Sequence, residues 1–300
     1  MRDKLEKEIQ GDQPPVDYIN KIIATALAED SGRGDITSEI LIPCDLQGKA
    51  FMLVKEEGVI AGTQVTGRVF QQVDPSLKVQ VMTHDGTVVK AGDVPMLITG
   101  NVRNILKAER VALNFFQRLC GIASTTAQYV TKVQDLDVDI ADTRKTTPGL
   151  RLLEKYAVRM GGGRNHRLDL NDAILIKDNH IAALRALGLN YKEIVAQAKH
   201  NALPGLKVEA EARTIQEALD AVEVGVDIIM LDNMPVMEMT RAVELIAGRA
   251  EVEASGGINL KNVRSVAETG VDFISIGALT HSPRALDISL ELEPQTFKLF

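Results

Sequence analysis

A cationic segment between residues 141 and 170 holds the first side chains that could do chemistry. It contains seven lysine or arginine residues against three acids, in a chain whose formal net charge is −7. Arginine guanidinium groups bind carboxylates and phosphates through paired hydrogen bonds, and glycines let backbone N–H groups approach an anion. Arg144 and Lys145 follow a predicted strand and Arg167 follows three glycines, so these residues are predicted to bind a small anion. Three others are predicted to form the solvated face of a helix: Arg151, Lys155 and Arg159.

Lys177 ends a second apolar run and precedes the sequence Asp-Asn-His. A lysine at the end of a barrel strand could form a Schiff base or hold an anion by its charge. An exposed loop lysine remains a third interpretation of this residue.

Carboxylates follow at the ends of two later strands. Glu209 and Glu211 alternate along one predicted strand and therefore share a face, and Asp232 ends the next strand. Such a pair suits Mg²⁺, which prefers a few carboxylates, water and substrate phosphates. The alternative is a salt-bridge network with the arginines. No cluster of histidine and cysteine indicates zinc.

Small residues close the last two predicted strands, in Ser255-Gly256-Gly257-Ile258 and Ser275-Ile276-Gly277. Barrels often hold a phosphate between their last strand loops and the start of a helix. One glycine after a strand usually marks a turn, but two such motifs in tandem favour a phosphate site.

These side chains need a scaffold that brings strand ends together. After residue 135, short apolar runs alternate with helical stretches, which predicts a parallel sheet. The polar strand ends Glu211, Asp232, Ser255 and Ser275 lie 21, 23 and 20 residues apart, about one strand–helix unit each. We favour a barrel over a doubly wound sheet, because a barrel gathers its chemistry at the carboxyl ends of its strands.

The first 121 residues read differently. Apolar spacing predicts a helix over residues 16–28 and another over residues 102–120, with Gly121 as its stop. Between them, alternating apolar residues predict a small strand-rich domain, with Asp85-Gly86 as a tight hairpin turn.

Composition excludes several classes of protein. The chain has 300 residues, of which 45% are hydrophobic and 25% charged, which is ordinary for a globular protein. A net charge of −7 argues against nucleic-acid binding, and no apolar run is long enough to cross a membrane. With only two separated cysteines and no apolar leader, we expect a cytoplasmic protein.

The motifs together resemble one family. Asp-Thr-Arg-Lys-Thr-Thr-Pro-Gly, Glu-Lys-Tyr-Ala-Val-Arg, Gly-Gly-Gly-x-Asn-His-Arg, Lys-Asp-Asn-His, Leu-Asp-Asn, Ser-Gly-Gly-Ile and Ser-Ile-Gly-Ala-Leu-Thr-His occur in that order. Gly-Asp-Ile-Thr and Glu-Arg-Val-Ala-Leu-Asn extend the series into the first half of the chain. The series resembles quinolinate phosphoribosyltransferase, also called nicotinate-nucleotide pyrophosphorylase (carboxylating).

The resemblance implies an α/β fold with an N-terminal α/β sandwich and a C-terminal open α/β barrel of the TIM type. We expect an extension at residues 1–15, the sandwich with its linking helix at 16–121, the catalytic barrel at 122–290 and a tail at 291–300. A homodimer with shared active sites is also implied, in some cases built further into hexamers.

The resemblance also implies roles for individual residues. Quinolinate is expected to bind five residues, of which the first comes from the other subunit: Arg110, Arg144, His166, Arg167 and Lys177. Lys145 would lie between the substrates, and Glu211 and Asp232 would engage the ribose and Mg²⁺ of phosphoribosyl pyrophosphate, directly or through water. The phosphate would be held by the remaining residues: Ser255, Gly256, Gly257, Gly277 and His281.

The implied reaction transfers phosphoribosyl to quinolinate with loss of CO₂ and gives nicotinate mononucleotide for NAD synthesis, without an organic cofactor. Three alternatives stay open at this point. The first is a related phosphoribosyltransferase acting on nicotinate or another aromatic acid, although such relatives usually vary the Asn-His-Arg triplet at residues 165–167. The others are a Schiff-base aldolase using Lys177 and a binding module that senses anions.

Overall fold

The computed structural model describes residues 13–32 and 34–299. Contacts divide the chain into two units. The antiparallel unit comprises the chain up to residue 127, residues 146–162 and the chain from residue 280. The parallel unit comprises residues 128–145 and 163–279. Residues 1–12 of the expected N-terminal extension lie outside the described residues.

The antiparallel unit is built on a four-stranded sheet. Its first elements are α1 (Val16–Ser31), α2 (Ile36–Leu41), β1 (Gln47–Val54), β2 (Gly58–Val59), α3 (Thr63–Val73), β3 (Lys78–Val81), β4 (Val88–Val89) and β5 (Met96–Asn101). Helix α4 (Val102–Val133) follows and continues into the parallel unit, and α5 (Arg151–Met160) belongs to residues 146–162. Strand β12 (Ile288–Leu292) completes the sheet in the order β12-β1-β5-β3, and β2 pairs separately with β4. Every pairing is antiparallel.

The parallel unit alternates strands and helices. Its elements are β6 (Asp139–Ala141), β7 (Ile174–Ile176), α6 (Asp178–Arg185), α7 (Tyr191–Asn201), β8 (Val208–Ala212), α8 (Ile215–Val224), β9 (Ile228–Asp232), α9 (Val236–Ile246), β10 (Glu251–Ser255), α10 (Val263–Ala267), β11 (Phe273–Ser275) and the start of α11 (Ala278–His281). The six strands pair in parallel in the order β6-β11-β10-β9-β8-β7. The first two strands of the unit, β6 and β7, are the outer strands of the sheet and do not pair with each other, so the predicted open α/β barrel is confirmed.

Helix α4 confirms its predicted apolar stripe but extends past its predicted end. The five stripe residues are buried: Ile105, Ala108, Ala112, Phe115 and Leu119. Gly121 does not stop the helix, which runs on to Val133. A Cβ on Gly121 would lie 2.1 Å from the carbonyl oxygen of Arg284. The glycine therefore permits a close backbone approach and does not serve as a helix cap.

Two further expectations were wrong. Asp85-Gly86 joins β3 to β4, which lie in different sheets, so it is not the turn of a hairpin. Instead, the Asp85 carboxylate accepts hydrogen bonds from the N–H groups of Gly62 and Thr63 where α3 begins. Lys155 is buried in α5 and does not lie on a solvated face. The neighbouring Glu154 is also buried and accepts hydrogen bonds from Arg118 at 2.9 and 2.6 Å.

No helix among residues 13–32 and 34–299 combines the length and the apolar character needed to cross a bilayer.

The close approach at Gly121 gives a stability prediction. The Gly121→Ala variant should lose about 1–3 kcal/mol of unfolding free energy, because its Cβ would force backbone atoms apart. Gly67→Ala, inside helix α3, is the matched control, since a Cβ there makes ordinary contact with Val79 on β3. Chemical denaturation should show the loss only at Gly121, and equal stabilities of the two variants would contradict the packing described.

Candidate active site

Parallel pairing brings the predicted strand-end residues of the parallel unit to one edge of its sheet. Asp232 on β9 is in register with Ser255 on β10, and Ser275 on β11 is in register with Ala141 on β6. The carbonyl of Ser255 accepts a hydrogen bond from the N–H of Asn233, which continues the ladder past the end of β9. This edge is the candidate active site.

Glu211 and Asp232 form a pair of neighbouring carboxylates at the edge. The pKa of Glu211 is raised by its burial and then by the negative charge of Asp232. The guanidinium of Arg213 lies 3.6 Å from each carboxylate. Glu211 also accepts a weak hydrogen bond of 3.3 Å from the N–H of Asp178 where α6 begins. The ion pairs predicted as the alternative to a cation site therefore involve Arg213, outside the cationic segment.

Asp142 anchors the segment that carries the Asn-His-Arg triplet. Its carboxylate is buried at the end of β6 and accepts hydrogen bonds from the backbone N–H of His166 at 2.8 Å and from the amide of Asn165 at 2.7 Å. The N–H of Asp142 also donates to the carbonyl of Arg164. Sequence reasoning assigned no role to Asp142, although its position directly before Thr143 and Arg144 was a usable signal.

Arg144 lies close enough to Arg167 for its positive charge to act on that residue. Arg167 is half-buried, and its pKa is lowered by that burial and then by the positive charge of Arg144. Its guanidinium donates a hydrogen bond of 3.0 Å to the carbonyl of Ala173. Two neighbouring guanidinium groups repel each other and favour an anion between them. The prediction that these two residues face one anion site agrees with this geometry.

His166 lies between two buried glutamates. Its Nε2 atom is 3.0 Å from Glu253 Oε2 and 3.2 Å from Glu209 Oε2. Its Nδ1 atom accepts a hydrogen bond of 2.8 Å from the N–H of Arg167. Sequence reasoning named Glu209 only as a neighbour of Glu211 and missed Glu253 altogether. The period-two alternation of Glu251, Glu253 and Ser255 on β10 was the available signal.

Asn233 and Gly256 interlock at the ends of β9 and β10. Asn233 has a positive φ of 53°, and its side-chain amide donates a 2.9 Å hydrogen bond to Asp232. A Cβ on Gly256 would lie 2.4 Å from the Asn233 side chain, and the φ of Gly256 is 94°. Only glycine suits this position. The loop from Ser255 to Gly257 is thereby fitted to the residue that orients Asp232.

The structure brings together many of the predicted site residues but not all of them. Lys145 and Lys177 are exposed in the parallel unit, where Lys177 precedes helix α6, and Gly277 follows β11. Arg110 and His281 belong to the antiparallel unit, and both are exposed. Arg110 lies on helix α4. The Nδ1 atom of His281 shares a hydrogen bond of 2.6 Å with the hydroxyl of Ser282.

Within the part of the chain that the structure describes, two groups of side chains have the composition to hold a metal ion. One is the edge pair of Glu211 and Asp232. The other is His166 with Glu209 and Glu253, whose ligand atoms lie within 4.8 Å of one another. The His166 group is the weaker candidate. Its Nδ1 atom accepts a hydrogen bond, so the ring hydrogen lies on Nε2, the atom that faces both glutamates and would have to bind the ion. The edge pair is the better candidate for a cation.

Two family models match the chain. The model described as the quinolinate phosphoribosyl transferase C-terminal domain matches residues 122–291, and the corresponding N-terminal domain matches residues 35–120.

Relatives match over nearly the whole chain. The probable nicotinate-nucleotide pyrophosphorylase (carboxylating) of Synechocystis is 44% identical, with 93% of this chain and 94% of that protein covered. The mitochondrial quinolinate phosphoribosyltransferase (decarboxylating) 2 of Nicotiana glauca is 41% identical over 96% of this chain and 86% of that protein. Among solved structures, the nicotinate-nucleotide pyrophosphorylase of Francisella tularensis superposes with a TM-score of 0.87 at 37% identity, covering 94% and 98% of the two chains.

The edge pair gives a prediction that needs no ligand. In the Asp232→Asn variant the pKa of Glu211 should fall, because the carboxylate of Glu211 no longer faces a negative charge. It should stay above its ordinary value, since the burial of Glu211 remains. Carbon-13 NMR titration of labelled glutamate carboxyl groups measures this shift, with the half-buried variant Asp220→Asn on helix α8 as the control. An unchanged or higher pKa in Asp232→Asn would contradict the pairing.

Proposed function

The chain belongs to the quinolinate phosphoribosyl transferase family, and we infer that it transfers phosphoribosyl from phosphoribosyl pyrophosphate to quinolinate. The reaction releases pyrophosphate and CO₂ and yields nicotinate mononucleotide for NAD synthesis. The single observation that carries this inference is the match of both family domains, which together span residues 35–120 and 122–291. The anion site at the edge of the parallel sheet supplies a physical reason for it.

Quinolinate is a dianion with two adjacent carboxylates, so its site needs converging cations. Arg144 and Arg167 are half-buried neighbours whose mutual repulsion an anion would relieve. We assign quinolinate binding to these two residues together with His166 and Lys177. Several cations both neutralise the substrate and orient its ring nitrogen for attack.

Phosphoribosyl pyrophosphate and its metal ion belong to the other part of the edge. The neighbouring carboxylates of Glu211 and Asp232 fit a divalent cation, because burial and then the charge of Asp232 raise the pKa of Glu211 even with Arg213 3.6 Å away, and a cation would offset that repulsion. These two residues would hold Mg²⁺, directly or through water, and the ribose hydroxyls. Bound there, Mg²⁺ would neutralise the charge on the pyrophosphate leaving group.

The 5′-phosphate needs backbone N–H donors and room for its oxygens. The glycines after β10 meet this need, since Gly256 and Gly257 both have positive φ values, of 94° and 64°. We assign the phosphate to Ser255, these two glycines, Gly277 and His281. The last assignment depends on the family resemblance alone.

The chemistry follows from the charges that surround the two substrates. The ribose carbon develops positive charge as its bond to pyrophosphate breaks, and the carboxylates of Glu211 and Asp232 stabilise it. Lys145, between the substrates, supplies a positive charge near the departing group. The quinolinate nitrogen then forms the new bond to ribose. The pyridinium ring stabilises the electron pair that loss of the adjacent carboxylate as CO₂ leaves on the ring carbon, and that carbon takes up a proton to give the product.

Oligomeric state, domain division and location are part of the same proposal. We propose a homodimer in which the exposed Arg110 of each copy completes the quinolinate site of the other. The functional division into a sandwich at residues 16–121 and a barrel at 122–290 stays a prediction. A cytoplasmic location also stays a prediction.

The assigned roles separate the two substrates. Calorimetry should show that Arg144→Ala and Arg167→Ala weaken quinolinate binding by about 2–5 kcal/mol, because each leaves a substrate carboxylate without its partner. Glu211→Ala and Asp232→Ala should lose turnover and keep quinolinate affinity. The activity assay follows nicotinate mononucleotide formed from quinolinate and phosphoribosyl pyrophosphate, with and without Mg²⁺ and with nicotinate as the competing substrate.

The results separate an incorrect function from incorrect assignments. Turnover of nicotinate without turnover of quinolinate by the unmodified protein would replace the proposed substrate. Normal turnover together with a binding loss confined to phosphoribosyl pyrophosphate in the arginine variants would instead move those residues to the other site.

The shared site predicts complementation between two inactive proteins, Arg110→Ala and Lys177→Ala. Mixed dimers would contain one doubly damaged site and one intact site if Arg110 acts in the neighbouring subunit. Random reassembly makes about half of the dimers mixed, so activity should recover to roughly a quarter of the unmodified level.

Subunit exchange is verified by native mass spectrometry of differently tagged copies. Each variant dissociated and reassembled alone serves as the control and should remain inactive. Exchange without recovered activity would show that Arg110 acts within its own subunit or not at all.

A further inference from the structure

Two carboxylates occupy the interior of the parallel unit, where apolar side chains are usual. The side chains of Glu209 on β8 and Glu253 on β10 are only 1% and 0% exposed. Barrel interiors are normally filled by valine, isoleucine and leucine. Burying a carboxylate costs several kcal/mol unless it is paired and hydrogen-bonded. Because of this cost, the presence of Glu209 and Glu253 in the interior calls for a functional explanation.

The two carboxylates converge on one ring nitrogen. His166 Nε2 lies 3.0 Å from Glu253 and 3.2 Å from Glu209, and the imidazole is itself only 10% exposed. The second oxygen of each carboxylate is buried and accepts no hydrogen bond from a donor among residues 13–32 and 34–299. Three groups that each bind protons thus share a small volume, and no more than one hydrogen can lie on the Nε2 atom.

The backbone decides where the hydrogens lie. The N–H of Arg167 points at His166 Nδ1 from 2.8 Å, so that atom must present a lone pair. Burial disfavours a charged imidazole, whereas the two glutamates favour one and raise the pKa of His166. Burial and the charge of Glu209 raise the pKa of Glu253 to about 8. The hydrogen bond to Nδ1 keeps the imidazole neutral with its hydrogen on Nε2, so the additional proton of the cluster is assigned to Glu253.

The cluster is connected to the quinolinate site through the main chain. His166 is fixed at its ring by the glutamates and at its N–H by Asp142. Arg167 is the next residue, and its own N–H is used to hold the ring of His166. The ring of His166 thus fixes the backbone position from which the Arg167 side chain extends, within reach of the positive charge of Arg144. A change in the ring position of His166 would therefore move the guanidinium of Arg167.

We propose that Glu253 is a positioning residue of the quinolinate site: as a neutral carboxylic acid beside Glu209, it holds the Nε2–H of His166 and so orients His166 and Arg167 toward the substrate. The proposal rests on the proposed function. A glutamine reproduces the shape and neutrality of the protonated acid, whereas a leucine removes both oxygens.

The test compares three variants in the full-length protein. Glu253→Leu should weaken quinolinate binding about tenfold or more, the size seen when a carboxylate that orients a metal-binding histidine is removed. Glu253→Gln should restore binding to within about threefold, because its amide oxygen still accepts from Nε2–H. The KM for phosphoribosyl pyrophosphate should change by less than about threefold in both variants. Calorimetry with quinolinate and steady-state kinetics give these values.

Glu251→Leu is the matched control on the same strand and face. Glu251 pairs with Arg164 and Lys207 at the amino end of β10, so its loss should affect stability without affecting quinolinate affinity. Equal losses for both substrates in Glu253→Leu, or unchanged quinolinate affinity in a folded Glu253→Leu protein, would overturn the proposal. Absence of quinolinate binding by the unmodified protein would instead overturn the proposed function.

A measurement on the unmodified protein covers the case in which Glu253→Leu does not fold. Nitrogen-15 NMR of labelled histidine should show His166 at neutral pH with its hydrogen on Nε2 and none on Nδ1. A protonated Nδ1 would overturn the assignment of the proton to Glu253. Metal analysis by mass spectrometry should find no stoichiometric metal that disappears in Glu253→Gln, and finding one would make the cluster a metal site.

Discussion

Hydrogen bonding between parallel strands is the constraint on which the candidate site depends. Adjacent parallel strands end at a common edge, so Asp232 and Ser255 become neighbours although a whole helix separates them in the chain. The same pairing aligns the strands that carry Glu209, Glu211 and Glu253. Charges of both signs are concentrated at and below one edge of the sheet, and each needs a partner there.

The charges form two regions with opposite needs. Arg144 and Arg167 are cations that repel each other, whereas Glu211 and Asp232 are carboxylates that repel each other. Each region is therefore less favourable alone than with its ligand, and binding relieves the repulsion. Buried carboxylates at Asp142 and Glu209 lie behind the cationic region, where Asp142 holds the backbone and Glu209 partly offsets the charge of Arg167. A substrate with two carboxylates and a metal-bound diphosphate suits this division.

Much of this arrangement could be predicted from the sequence, because strand–helix alternation fixes both the class of sheet and the edge at which its chemistry lies. The motifs supplied the residues to which substrate binding is assigned, and those assignments stay predictions. The residues behind them were harder to predict, since a glutamate such as Glu253 has the same appearance in the sequence whether it faces solvent or a buried imidazole. Asp142 and Asn233 were given no role for a related reason: Asp142 holds the distant His166, and Asn233 packs against the distant Gly256.

Gly121 and Lys155 show a second limit of prediction from local pattern. Helix propensity indicates a stop at Gly121, but the close approach of the Arg284 backbone explains why glycine is present within a continuing helix. Lys155 has the spacing of an exposed residue and is nevertheless buried beside Glu154. At Gly121 tertiary packing outweighs a local preference of about 1 kcal/mol, and at Lys155 it outweighs the usual exposure of lysine.

The two outer strands of the parallel sheet, β6 and β7, have a consequence for aggregation. An open sheet exposes unpaired N–H and C=O groups at its outer strands, where another chain could add a strand. Here the outer strands β6 and β7 have only three residues each, and Arg164 already bridges to Ala141 at the end of β6. A strand this short offers a second chain too few hydrogen bonds to nucleate intermolecular pairing. The openness of the barrel thus adds little risk of fibril formation, and insertions that lengthen β7 are the changes that would increase it.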